Sequence, residues 1–123
     1  MAAAPASPPP VGPYLPAVRA GEFLFCSGQL GLVDGALVEG VSDQLRVAIE
    51  RLAAVLAEHG ASLGEVVRTS VYLCDMAYFA EMNEAYIAGF APHRPARSAI
   101  GVSGLPLGAA VEIDAVAYLG PAS

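Results

Sequence analysis

The 123-residue chain has no lysine and no tryptophan. Without an ε-amino group, lysine Schiff-base chemistry is excluded, and with it the usual attachment of pyridoxal phosphate. Six arginines stand against twelve acids, for a formal net charge of -6. Nucleic-acid affinity is driven largely by phosphate neutralisation, so an acidic chain without a basic stripe is not expected to bind nucleic acid as its main role. Cysteines are Cys26 and Cys74 alone, and histidines His59 and His93 alone. No ligand-spaced cluster accompanies them, so no metal is expected. Both cysteines fall in apolar strand-like segments and read as buried, reduced thiols, with no spacing that supports a disulfide. His59 precedes Gly60 at a helix end, where it suits the helix dipole. No apolar run approaches the ~18 residues that span a bilayer. Residues 1–10 are rich in alanine and proline, without the positive charge and apolar stretch of a secretory signal. The expectation is a cytoplasmic protein with no membrane partner. A flexible tail over residues 1–10 would precede a single domain over residues 11–123.

What is present is apolar. Hydrophobic residues make up 55% of the chain, and mean hydropathy is +0.54. The excess over what one small core needs is expected to enter subunit contacts. Prolines 13 and 16 bracket Tyr14 in a rigid non-helical loop. A Phe/Leu-rich strand over 22–29 closes on Ser27-Gly28-Gln29. Asp34-Gly35 marks a tight hairpin between Leu32-Val33 and Ala36-Leu37-Val38. Ser42 is expected to cap a helix whose stripe runs through Leu45, Ile49, Leu52 and Leu56 and which ends at Gly60. Arg46 and Arg51 read as solvated charges on it. A strand over 65–74 follows, with Val67, Thr69, Val71 and Leu73 on one face. A second helix opens near Asp75, stacks Phe79, Met82, Tyr86 and Phe90 as core, and stops at Pro92. Strands over about 97–103 and 111–119 finish the chain. The order is β-β-β-α-β-α-β-β. Each helix has one apolar stripe to bury, so both are expected on one face of a single sheet, an α+β architecture.

Two motifs carry chemistry. In Arg94-Pro95-Ala96-Arg97-Ser98, a guanidinium stands at the start of a strand, planar, always charged and able to bond a carboxylate through two parallel hydrogen bonds. About fifteen positions on, Glu112 interrupts the apolar run of the last strand. If the more apolar sets of both strands lie under the helices, Arg97 and Glu112 project together from the uncovered face. Ala99 and Gly101 would leave ligand room beside them, and Val116 and Tyr118 would make the same face an assembly surface. On residue type alone other roles are open. Arg97 can pair with Glu112 or Asp114 across the strands, Glu112 can be a solvated acid, Tyr14 can pack on a neighbouring subunit, and Ser27 can serve the backbone.

These pieces, in order, resemble the RidA family of reactive intermediate deaminases, also called YjgF-like or L-PSP proteins. The matching segments are Gly12-Pro13-Tyr14, Ser27-Gly28-Gln29, the helix carrying Asn83 and Tyr86, the Arg94–Ser98 motif and the strand Val111–Ala117. The resemblance implies a chorismate-mutase-like fold assembled as a homotrimer, with sites in clefts between subunits. It implies hydrolysis of small 2-imino acids to 2-keto acids and ammonia, with no cofactor. It gives Arg97 the substrate carboxylate, Glu112 the reacting water, and Tyr14 and Ser27 the lining of the site. Many members carry cysteine where this chain has Ala99, a change of pocket shape. The family also contains branches without demonstrated imine deaminase activity, so a non-catalytic module binding small 2-keto or other carboxylates stands as the alternative. Ribonuclease or translation inhibition, a name attached to the family, sits poorly with the acidic charge.

Overall fold

The computed structural model describes residues 10–121, so nearly all of the segment read as a tail lies outside the described residues. Seven strands and two α-helices follow in the order β1 (Ala17–Ala20), β2 (Phe23–Leu30), β3 (Leu32–Val33), β4 (Ala36–Leu37), α1 (Val41–Glu58), β5 (Val66–Leu73), α2 (Phe79–Phe90), β6 (Ala96–Gly101) and β7 (Val111–Tyr118). Five strands form one sheet in the order β1-β2-β7-β5-β6, and β3 pairs with β4 apart from it. Among the described residues only β5 and β6 run parallel. A parallel pair needs a crossover, and α2 supplies it.

Strict alternation builds the centre. In β7, Val111, Ile113, Ala115 and Ala117 are buried, while Glu112, Asp114 and Val116 are only half-buried. The buried set meets Leu24 and Cys26 of β2, Val71 and Leu73 of β5, and the stripe Leu45, Ile49, Leu52 and Leu56 of α1. Each fully buried leucine there contributes about 1.5–3 kcal/mol of transfer free energy. α2 adds Met82, Tyr86 and Phe90 on the same face. A side chain at Gly89 would run into Ile49, so glycine sets how closely the two helices approach. Tyr86 OH and Thr69 Oγ1 share a 2.7 Å hydrogen bond inside this layer. A buried hydroxyl without a partner costs about 1–3 kcal/mol, so the pair ties α2 to β5.

The structure corrects the sequence reading at several points. A strand missing from that reading, β1, pairs with β2 through the turn at Gly21, whose φ is +60°. α1 begins at Val41, with Gly40 rather than Ser42 at its N-cap position. The register of β5 shifts between Val66 and Arg68. Val66 therefore enters the core and Val67, expected there, is 43% exposed. Phe79 is exposed rather than core, and Cys74 is an exposed thiol, beyond the strand's end. The Asp34-Gly35 turn forms as expected, with φ of 51° and 81° at the two central residues. No helix among the described residues is long and apolar enough to cross a membrane.

Candidate functional site

Arg97 lies opposite Thr69 in the parallel β5–β6 register. Thr69 is completely buried under the helices, so Arg97, Ala99 and Gly101 share the helix side of the sheet. The guanidinium sits 4.8 Å from the Tyr86 ring centroid and 5.8 Å from that of Phe79. Its Nη1 donates weakly to Met82 Sδ at 3.5 Å. Three aromatic and thioether contacts orient the fork without neutralising it, and Arg97 makes no ion pair among the described residues. A cavity of about 410 Å³ opens beside it, lined by Asn83, Tyr86, Ile87, Arg94, Pro95 and Arg97. Asn83 Oδ1 is buried there without a hydrogen-bond partner. That oxygen is an unfilled acceptor on a residue that lines the same cavity as Arg97. The i, i+3 spacing of Asn83 and Tyr86 was the sequence signal for a shared helix face.

Glu112 lies elsewhere. It pairs with Leu30 and Tyr72 in the antiparallel registers of β2 and β5, and its side chain projects from the face without helices. Burial, and then the negative charge of Asp114, raise its pKa above the ordinary carboxylate value. Asp114 is already engaged, accepting from Tyr72 OH at 2.8 Å. A β-carbon at Gly28 would overlap the Glu112 carboxylate. The residue at 28 must be glycine for that carboxylate to lie against the bulge where β2 shifts register between Cys26 and Gln29.

Ser27 and Tyr14 belong to the Glu112 side. Ser27 Oγ donates to Leu15 O at 2.6 Å, and Ser27 N donates to Pro16 O at 2.8 Å. Ser27 thus pins the proline-bracketed loop, its backbone role, and the loop presents Tyr14, which is 43% exposed. A small cleft behind Tyr14 is lined by Gly28, Gln29 and Arg51. Arg51, read as a solvated helix charge, is half-buried and donates to Gln29 Oε1 at 3.2 Å and Leu32 O at 3.4 Å. Arg46 is solvated as expected, paired with Asp43 and Glu50.

Arg97 and Glu112 therefore occupy opposite faces of one sheet, against the expectation that they share one. The parity rule failed at β6. The helix side of that edge strand carries Ala99 and Gly101, and a side chain at Gly101 would meet Met76. The larger Ile100 is 49% exposed on the open face. The cross-strand pairing of Arg97 with Glu112 or Asp114 is excluded by the same geometry. Cys26 is buried as expected, and burial followed by Asp114 pushes its thiol up to about 11, an inert form. No group of His, Cys, Asp and Glu among the described residues could hold a metal ion.

Residues 4–119 match the family described as Endoribonuclease L-PSP. The chain belongs to the RidA (YjgF-like, L-PSP) family. Among curated relatives of this RidA-family chain, a RutC family protein of Pyrococcus horikoshii is 44% identical over 115 residues, covering 91% of each chain. The 2-iminobutanoate/2-iminopropanoate deaminase of Mus musculus is 40% identical over 118 residues, covering 94% of this chain and 87% of the relative. Among solved structures, RidA from an Antarctic Psychrobacter superposes with a TM-score of 0.87 at 38% identity, covering 91% of this chain and 93% of that one. TdcF of E. coli with bound serine superposes with a TM-score of 0.84 at 32% identity, covering 91% and 92%. Two helices on one face of a mixed sheet are the shared architecture, and imine deamination is an activity named within the family.

Proposed function

We propose that this RidA-family chain hydrolyses small reactive 2-imino acids to 2-keto acids and ammonia, at sites completed between copies in a homotrimer. The observation that carries the reading is the separation of Arg97 and Glu112. Neither has an ion pair among the described residues, and they lie one on each face of the sheet. A second copy that brings its Glu112 face against the Arg97 cavity would make one whole site from two halves. The open face supports such an assembly. It exposes Val18, Phe23, Phe25, Ile100 and Tyr118, large apolar side chains of the kind that mark interaction surfaces.

A protonated imine is already electrophilic, so the site needs placement more than activation. Arg97 would grip the 2-carboxylate by two charge-assisted hydrogen bonds. The unfilled Asn83 Oδ1 would accept from the iminium N–H. Water adds to C2 while Glu112 takes its proton, and the C=N π electrons pass to nitrogen. Glu112 returns that proton to nitrogen, and its carboxylate then takes the hydroxyl proton as the C–N bond breaks, so that ammonia leaves and the 2-keto group forms. The raised pKa of Glu112 brings it nearer to both proton transfers. Tyr14, on its pinned loop, walls the substrate. No cofactor enters this chemistry. The bound serine of TdcF is a small 2-amino acid of matching size and charge.

The test generates 2-iminopropanoate and 2-iminobutanoate in place with an amino acid oxidase and traps them with semicarbazide. Semicarbazone formation should fall as the protein is added. Unchanged trapping, with carboxylate binding seen by calorimetry, would replace the enzyme with a binding module.

A further inference from the structure

The Arg97 cavity is also lined by Arg94, an exposed second arginine that monocarboxylic imines do not need. Four of the six arginines are engaged by the chain itself. Arg19 donates to Gly21 O and Gly120 O, Arg46 to Glu50, Arg51 to Gln29 and Leu32 O, and Arg68 to Ser98. Arg97 has its aromatic seat. Arg94 alone has no hydrogen bond or ion pair among the described residues, and it lines the same cavity as Arg97 with no acid between them.

Its backbone is held from both sides. His93 N donates to Phe90 O at 2.9 Å, and its ring Nε2 bonds Val66 O at 2.6 Å. Pro95 restricts Arg94 to extended conformations. Ile87, 44% exposed, supplies an aliphatic wall in the same cavity. At about 410 Å³ the space falls within the range of small-molecule sites, roughly 300–1,000 Å³.

Resting on the deaminase reading above, we propose that the preferred substrates are 2-imino dicarboxylic acids of four or five carbons. Arg97 holds the 2-carboxylate, Ile87 packs on the methylene spacer, and Arg94 takes the distal carboxylate. A dianion is repelled by a chain of net charge -6, and two unpaired cations in one cavity offset that locally. The bonds broken and formed at C2 are unchanged.

The experiment compares 2-iminosuccinate and 2-iminoglutarate with 2-iminopropanoate, each made in place by an oxidase, in the wild type, Arg94→Ala, Arg94→Lys and the control Arg46→Ala. The expected kcat/KM ratio of dicarboxylic to monocarboxylic imine is about 3–10 in the wild type, as one partly exposed charge pair allows. That ratio should fall about fivefold in Arg94→Ala, recover partly in Arg94→Lys and stay constant in Arg46→Ala. Calorimetry with 2-oxoglutarate and pyruvate reads the same preference without turnover. If no imine is hydrolysed faster, the deaminase reading falls, and a 2-oxoglutarate preference abolished by Arg94→Ala still upholds the second anion subsite. If monocarboxylic imines are hydrolysed but the dicarboxylic ratio is one or less, or is untouched by Arg94→Ala, the dicarboxylate assignment is overturned and the deaminase reading stands.

Discussion

Replacing Arg97 with alanine is expected to lower kcat/KM for imine hydrolysis by about 100- to 20,000-fold. Two hydrogen bonds to an ionised carboxylate account for that range at roughly 1.5–3 kcal/mol each, with about 1.4 kcal/mol per tenfold. The geometry favours the upper end, because Tyr86 lies 4.8 Å from the guanidinium carbon and limits the motion that binding would otherwise have to freeze. Arg97→Lys keeps the charge and loses the planar fork, so it should recover only part of the loss. The side chain also packs on Met82 and Phe79, so oligomeric state and thermal midpoint must be measured alongside. A variant that assembles normally and works within threefold of the wild type would remove Arg97 from the site.

The second large effect is on kcat. Glu112→Gln keeps the shape of the side chain and deletes the base, and loss of a positioned general base costs about 100- to 10,000-fold. KM should change little, since the carboxylate grip is elsewhere. In the wild type, kcat should fall as pH drops through the raised pKa of Glu112, and the residual rate of the variant should lack that limb. Stability moves in the opposite sense. A carboxyl whose pKa is higher folded than unfolded stabilises the fold fully below its unfolded value and loses that contribution as pH rises through its folded value. Glu112→Gln cannot ionise, so it is expected to melt above the wild type at pH 7 and to converge with it below about pH 4. Thermal midpoints across that range check the sign.

Much of this was legible in the residues. The alternation in β7, the Asp34-Gly35 turn and the α1 stripe each obey a local rule, and each element formed where the rule placed it. The family pattern led to Arg97 and Glu112, but their placement on one face was wrong for a physical reason. Choosing the buried face by apolarity assumes that only one face needs apolar residues. Here Ile100, Phe25 and Tyr118 are exposed on the open face, while on the helix side Met76 leaves no room for a side chain at Gly101. A one-residue shift in β5 is likewise invisible to a period-two pattern, which is why Val67 was misplaced. Arg51 sits next to an apolar stripe, and its acceptor Gln29 is 22 positions away. No local window contains that pair.

The division of one site between two chains can be tested directly by mixing. Arg97→Ala and Glu112→Gln proteins, dissociated together at equal amounts and allowed to reassemble, should regain about a quarter of wild-type activity, although each alone is nearly inactive. At random, one site in four takes its intact Arg97 from one variant and its intact Glu112 from the other. A reassembled mixture no more active than the sum of its parents would place both groups in a single chain's site and contradict the account.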